Sequence, residues 1–198
     1  VNSAYDFDGS NDYISRVSNF SDPLYNLDEG SISIWFKTLS NQSPSVVQSL
    51  LYFGSQSAKN DKLVLRAPQR DFSPLFFAVA EDNSTIPGQN HLLQMGYNPA
   101  GQINILDNIW HHAVILTGNG DNSIYIDGIK MNEIYNTGDS STNAFTNIFT
   151  SESFVIGAER RWDQSANLDF FFNGKIDDVA IWNRALTSSE IQELYAGN

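Results

Sequence analysis

Apolar residues in this chain fall in short clusters that alternate with polar ones, and Gly, Asn, Asp and Ser fill nearly every gap between clusters. Alternation with a period of two belongs to strands with one buried face, and the gap residues are those of tight turns. Over residues 31–36 it places Ile32, Ile34 and Phe36 on one face and Ser31, Ser33 and Trp35 on the other. The same pattern predicts strands near 3–8, 11–16, 48–54, 62–67, 75–81, 110–118, 122–127, 129–134, 153–158 and 170–183. Asp127-Gly128 separates two of these and signals a two-residue hairpin, because glycine accepts positive φ. Between two packed sheets, Ile32, Ile34, Phe36, Val179 and Ile181 are the expected core.

Residues 187–196 are the one stretch that reads as a helix. Thr187 and Glu190 have capping-box spacing, Ile191, Leu194 and Tyr195 form an apolar face, and Gly197 is a natural stop. Residues 82–109 and 136–152 do not resolve into strands; both are rich in Asn, Ser, Thr and Gly, as binding loops on a rigid scaffold often are.

At 198 residues the chain has the length of an undivided β-sandwich, so residues 1–198 are expected to form a single domain. A hydrophobic share of 41% and an aromatic share of 13% exclude a disordered chain. The formal net charge is -12, and the 11 Lys and Arg residues are spread along the chain. Nucleic acid and anionic membrane surfaces are therefore poor partners, since both need clustered cations. The absence of cysteine excludes disulfides, thiolate nucleophiles and Cys-ligated zinc. No apolar run approaches the ~20 residues of a membrane helix and no signal peptide is recognisable. Val1 in place of Met is expected of an excised domain or a mature form.

Five motifs occur in order along the chain: Tyr5-Asp6-Phe7-Asp8-Gly9-Ser10-Asn11-Asp12-Tyr13-Ile14, Ser31-Ile32-Ser33-Ile34-Trp35-Phe36, Trp110-His111-His112-Ala113-Val114, Ile124-Tyr125-Ile126-Asp127-Gly128, and the run from Phe172 through Ile176-Asp177-Asp178-Val179-Ala180-Ile181-Trp182-Asn183-Arg184-Ala185-Leu186. Together they resemble the bacterial laminin G-like, concanavalin A-like lectin and glucanase superfamily, with residues 56–109 matching poorly. The resemblance implies an all-β fold, a two-sheet antiparallel jelly-roll sandwich with a short C-terminal helix. That architecture carries lectins, carbohydrate-binding modules, glycosidases, lyases and adhesion domains, so the fold alone does not settle the function.

Members of this superfamily often hold a structural calcium between the first and last strands. By resemblance its ligands here would be Asp6 or Asp8, the Gly30 carbonyl and Asp177, with turn-capping by Asp8 and solvation of Asp177-Asp178 as the alternative. The oxygen-rich Asn119-Gly120-Asp121-Asn122-Ser123 lacks the EF-hand pattern and reads as a turn. Glycoside hydrolysis needs two carboxyl groups flanking the scissile bond. The Glu-x-Asp-x-x-Glu strand of this fold's glucanases is missing, and the adjacent pairs Asp177-Asp178 and Glu81-Asp82 point to opposite faces. His111 and His112 are adjacent on a strand and so cannot face one metal; both read as structural, while His91 remains a minor ligand candidate.

A sugar site needs an exposed aromatic face with polar groups beside it. Trp35 and Trp182 lie in core strands, whereas Trp162 sits in the polar run Glu159-Arg160-Arg161-Trp162-Asp163-Gln164. The expected ligand-binding residues are therefore Trp162, Arg160, Arg161 and Asp163, with Arg66, Arg70, Phe72 and Tyr97 approaching from other loops. Folding of Trp162 back onto the body is the alternative. These observations point to a non-catalytic glycan-binding module of a secreted or cell-surface protein, as a monomer or as part of a larger chain. A protein-interaction or adhesion domain and a glycosidase or lyase with a dispersed site are the competing readings.

Overall fold

The computed structural model describes residues 3–17, 29–39, 47–54, 62–67, 75–80, 91–97, 103–118, 122–137, 153–160 and 167–197. In chain order their strands are β1 (Tyr5–Asp8), β2 (Ile14–Val17), β3 (Glu29–Thr38), β4 (Ser49–Gly54), β5 (Lys62–Arg66), β6 (Phe76–Ala80), β7 (His91–Tyr97) and β8 (His111–Gly118). Then come β9 (Ser123–Ile126), β10 (Ile129–Lys130), β11 (Glu133–Thr137), β12 (Ser153–Ile156), β13 (Glu159–Arg160), β14 (Leu168–Asp169) and β15 (Asn173–Trp182), followed by helix α1 (Ser188–Ala196).

A first sheet of six strands runs β1-β15-β3-β8-β9-β10, a second of seven runs β11-β7-β6-β5-β4-β12-β2, and β13-β14 form a two-stranded ribbon. Every pairing is antiparallel. β1 and β2 lie in different sheets although they are consecutive, and β15 returns to lie between β1 and β3. The all-β sandwich with one short C-terminal helix is thus borne out.

The core between the sheets takes Ile32, Ile34 and Phe36 from the first sheet, with half-buried Val179 and Ile181 packed against it, as the alternation predicts. The second sheet contributes Leu51, Phe53, Leu63, Leu65, Phe77 and Val79. In β15 the pairing with β3 shifts between Asp177 and Ala180, and Asp178 has φ 44°. One extra residue resets the alternation, so Ile176 and Val179 both reach the core although three positions separate them. At Gly157 (φ 84°) a Cβ would lie 2.3 Å from Phe7 Cε1, so only glycine lets the turn after β12 close on that ring.

Strand β7 lies inside the stretch that sequence reading left unresolved. Leu93, Met95 and Tyr97 alternate into the core there, a period-two signal that the surrounding polar residues mask. The Asp127-Gly128 hairpin is as expected: Ile126 pairs with Ile129, and the two turn residues have φ 52° and 74°. Thr187 caps α1 reciprocally with Glu190.

α1 covers the outer face of the first sheet. Ile191 and Leu186 pack with Val114, Leu116 and Tyr125 there. Ser31 Oγ donates to the Arg184 carbonyl (2.8 Å) and accepts from Leu186 N–H (3.0 Å), which pins the segment between β15 and the helix. Trp35 stacks on Tyr195 (5.7 Å, 12°) and on His112 (5.0 Å, 21°). The outer face of the second sheet is covered differently. Tyr52, Val64, Phe76, Ala78 and Val155 are buried there beside Ala158, with Leu168 and Phe171 of the ribbon region laid over them.

Candidate functional site

That covered outer face holds a charged cluster on an aromatic floor. Lys62, Val64 and Arg66 alternate to one side of β5, and Phe76 pairs with Arg66 from β6. Arg66 lies over the rings of Phe76 (5.8 Å) and Phe170 (5.4 Å), where its guanidinium gains from each ring face. It donates from Nε to Glu159 Oε2 (2.7 Å) and from Nη2 to Oε1 (2.6 Å), a two-point fork that fixes both side chains. Lys62 Nζ stands 4.0 Å from the same carboxylate, and Glu159 is only 1% exposed.

Burial pushes the Lys62 ammonium below its ordinary pKa, against the pull of Glu159. Asp169 faces Glu159 across the ribbon, and half-buried Arg160 follows Glu159 on β13. Two cationic side chains, Lys62 and Arg66, therefore meet at the Glu159 carboxylate, in a chain whose formal net charge is -12.

Of the expected ligand-binding residues, Arg66 lies at this cluster, on strand β5 rather than on a loop, and Arg160 follows Glu159 on β13. Trp162, Arg161, Asp163, Arg70 and Phe72 lie outside the described residues; residues 161–166 connect β13 to β14. Tyr97 is corrected. It points from β7 into the core with no exposed surface and donates its hydroxyl to the Ile103 carbonyl (2.8 Å), so no ligand reaches it. Glu159 and Lys62 were missed. A carboxylate directly before two arginines was the available signal for Glu159, but its partner is 93 residues away.

The register separates Gly30 from the other expected calcium ligands. Asp177 pairs with Trp35, while Gly30 sits opposite Thr117, five positions along β3 and roughly 16 Å away at strand spacing. Asp8 pairs with Asn173 and Asp6 with Lys175, so the register places them roughly 13 and 7 Å from Asp177. A carbonyl has no side chain to extend its reach, so Gly30 lies too far from Asp177 to share one ion with it. The spacing of Asp6 from Asp177, by contrast, is within the reach of two carboxylates. Asp8 Oδ1 instead accepts from Ser10 N–H (2.7 Å) and Asn11 N–H (3.3 Å), and Asp6 binds Lys175. Among the described residues no group of three or more His, Asp or Glu is placed to hold a metal. Asp177 Oδ1 accepts from Asp178 N–H (3.0 Å), and its Oδ2 is buried without a hydrogen bond.

The paired histidines face opposite ways, as the pleat predicts. His112 Nε2 is 2.7 Å from Ser33 Oγ under α1, and burial lowers its pKa to about 4. His111 points inward beside Phe36, between Asp107 and Asp127. His91 opens β7, and its side chain lies outside the described residues.

Two antiparallel sheets packed face to face, with the first and last strands side by side, define a lectin-like jelly roll. The chain belongs to the concanavalin A-like lectin/glucanases superfamily, whose Laminin_G_3 model matches residues 8–192. No curated protein sequence matches it.

Among solved structures it is similar to the CBM40 of the Ruminococcus gnavus IT-sialidase, at 15% identity over 86% of this chain and 84% of that one, with a TM-score of 0.62. It is also similar to the NanB sialidase of Streptococcus pneumoniae (17% identity, TM-score 0.63), covering 94% of this chain and 26% of that one. A third is the SAP-like pentraxin of Limulus polyphemus (14% identity, TM-score 0.58), over 96% of this chain and 80% of that one. At these identities the likeness is one of fold.

Proposed function

We propose that this chain is a non-catalytic glycan-binding module acting outside the cell, with its ligand surface on the outer face of the second sheet around Arg66, Glu159 and Arg160. The observation that carries this reading is the Arg66–Glu159 pair, set on Phe76 and Phe170 where the chain enters the Trp162 segment. A fixed guanidinium on an aromatic floor suits a sugar that offers C–H surface and an anionic group together.

The local excess of cations favours a carboxylated or sulfated glycan, although the overall charge opposes acidic polymers at long range. Support comes from the Ruminococcus gnavus module, which is bound to α2,3 and α2,6 sialyllactose in solved structures, a glycan with one carboxylate. Glu159 is committed to Arg66 through both oxygens, which suits a positioning role better than that of a general acid or base. For calcium, the reading narrows to Asp177, whose buried Oδ2 is the atom an ion would satisfy.

The test measures binding of the wild type, Trp162→Ala and Arg66→Gln to a panel of neutral and acidic glycans. Wild-type binding to an acidic member, weakened about tenfold or more in either variant, is expected for a central stacking or fork residue. Undiminished binding by both variants moves the site elsewhere. No binding to any glycan by the wild type favours a protein-interaction domain instead.

A further inference from the structure

His111 is 1% exposed, yet both its ring nitrogens face carboxylates. Nδ1 is 2.8 Å from Asp127 Oδ2 and Nε2 is 3.0 Å from Asp107 Oδ1. A neutral imidazole has a single N–H, so one of these contacts would set lone pair against lone pair. Only the imidazolium donates to both.

We propose that Asp107, His111 and Asp127 form a proton-operated clasp, which holds segment 103–110 against β8 and the β9–β10 hairpin and opens when the imidazole loses a proton.

The anchoring of the two carboxylates decides which arm opens. Asp127 sits in the hairpin turn, where its Oδ1 also accepts from His112 N–H (2.9 Å) and its own N–H donates to the His112 carbonyl (2.8 Å). Asp107 lies on a connecting segment with a 32% exposed side chain, against 17% for Asp127, and its Oδ1 also accepts from Ile109 N–H (3.1 Å). On deprotonation the remaining N–H stays with the rigid hairpin, and the contact to Asp107 is lost. Segment 103–110 then keeps the Tyr97 hydroxyl to the Ile103 carbonyl and the Thr38 hydroxyl to the Ile105 carbonyl.

The titratable groups that face the clasp agree with this assignment. Burial and both carboxylates raise the pKa of the Tyr97 phenol, which stays neutral. His112, next along β8, is kept neutral by burial. The charge beside the two carboxylates thus resides on His111. Its pKa is shifted upward: burial opposes the charge, but the hydrogen bonds and charges of Asp127 and Asp107 outweigh it. The stability it contributes is full below the ordinary value of 6.5 and is lost as pH rises through the higher folded value.

The test follows the His111 ring nitrogens by NMR across roughly pH 5 to 10, together with amide exchange over segment 103–110 corrected for hydroxide catalysis. A doubly protonated ring at neutral pH is expected, with corrected exchange in 103–110 rising about tenfold as the ring titrates, the effect of losing one charged hydrogen bond. Asp107→Asn should bring the titration down and remove the pH dependence of that protection. A singly protonated ring at neutral pH overturns the proposal. So does a ring that titrates while protection of 103–110 stays constant, and both results are read on the unsubstituted chain.

Discussion

Arg66 on β5 and Glu159 on β13 are 93 residues apart and meet through two hydrogen bonds of 2.7 and 2.6 Å, with the carboxylate buried and the guanidinium half-buried. The pair joins the second sheet to the β13–β14 ribbon. Its geometry therefore governs both stability and the proposed ligand surface.

Replacing Glu159 by Ala leaves Arg66 and Lys62 as half-buried cations without their carboxylate. Breaking a buried pair in this way costs about 3–5 kcal/mol. Urea unfolding should show that loss, and Arg66→Met in the same background should recover part of it. A loss below about 1 kcal/mol would mean the pair behaves like an exposed one.

The two adjacent histidines give pH limbs of opposite sign. His112 has a folded pKa of about 4 against an ordinary 6.5, so the unfolded chain binds more protons between those values. Its contribution is present above pH 6.5 and falls as pH drops towards 4, by about 3 kcal/mol over the window. His112→Phe retains a ring to stack on Trp35 and should flatten this acid limb in unfolding measured at several pH values. An unaltered acid limb would show that His112 does not carry it.

For the calcium proposal, EDTA is expected to lower the melting temperature and calcium to restore it, because the ion would bind only the folded chain. In Asp177→Ala the same titration should have no effect. A wild-type transition indifferent to chelation removes the ion from this protein.

Gly157→Ala tests the close approach of the turn after β12 to the Phe7 ring. The added methyl would meet the Phe7 ring at 2.3 Å and require positive φ from alanine, so a destabilisation of about 1–3 kcal/mol is expected in thermal or urea melts. A neutral effect would mean that β1 can shift away from β12 at little cost.

Strand alternation, the Asp127-Gly128 turn and the Thr187–Glu190 capping box were legible in the chain itself, because each depends on residues within a few positions of one another. So was the split between His111 and His112, which follows from the pleat alone. Alternation assigns a residue to a face, but it does not say what will cover that face. Tyr97 therefore reads as a loop residue in the chain, and only the packing of β7 against the core placed its ring inside. The spread of Asp6, Asp8, Gly30 and Asp177 along the first sheet likewise depended on register, which pairs residues far apart in sequence. Tertiary structure also decided the charged cluster. Nothing local pairs Lys62 and Arg66 on β5 with Glu159, which arrives on a ribbon folded back over Tyr52, Val64 and Phe76. Contacts of that range are chosen by burial and charge pairing in three dimensions, and no local pattern in the chain encodes them.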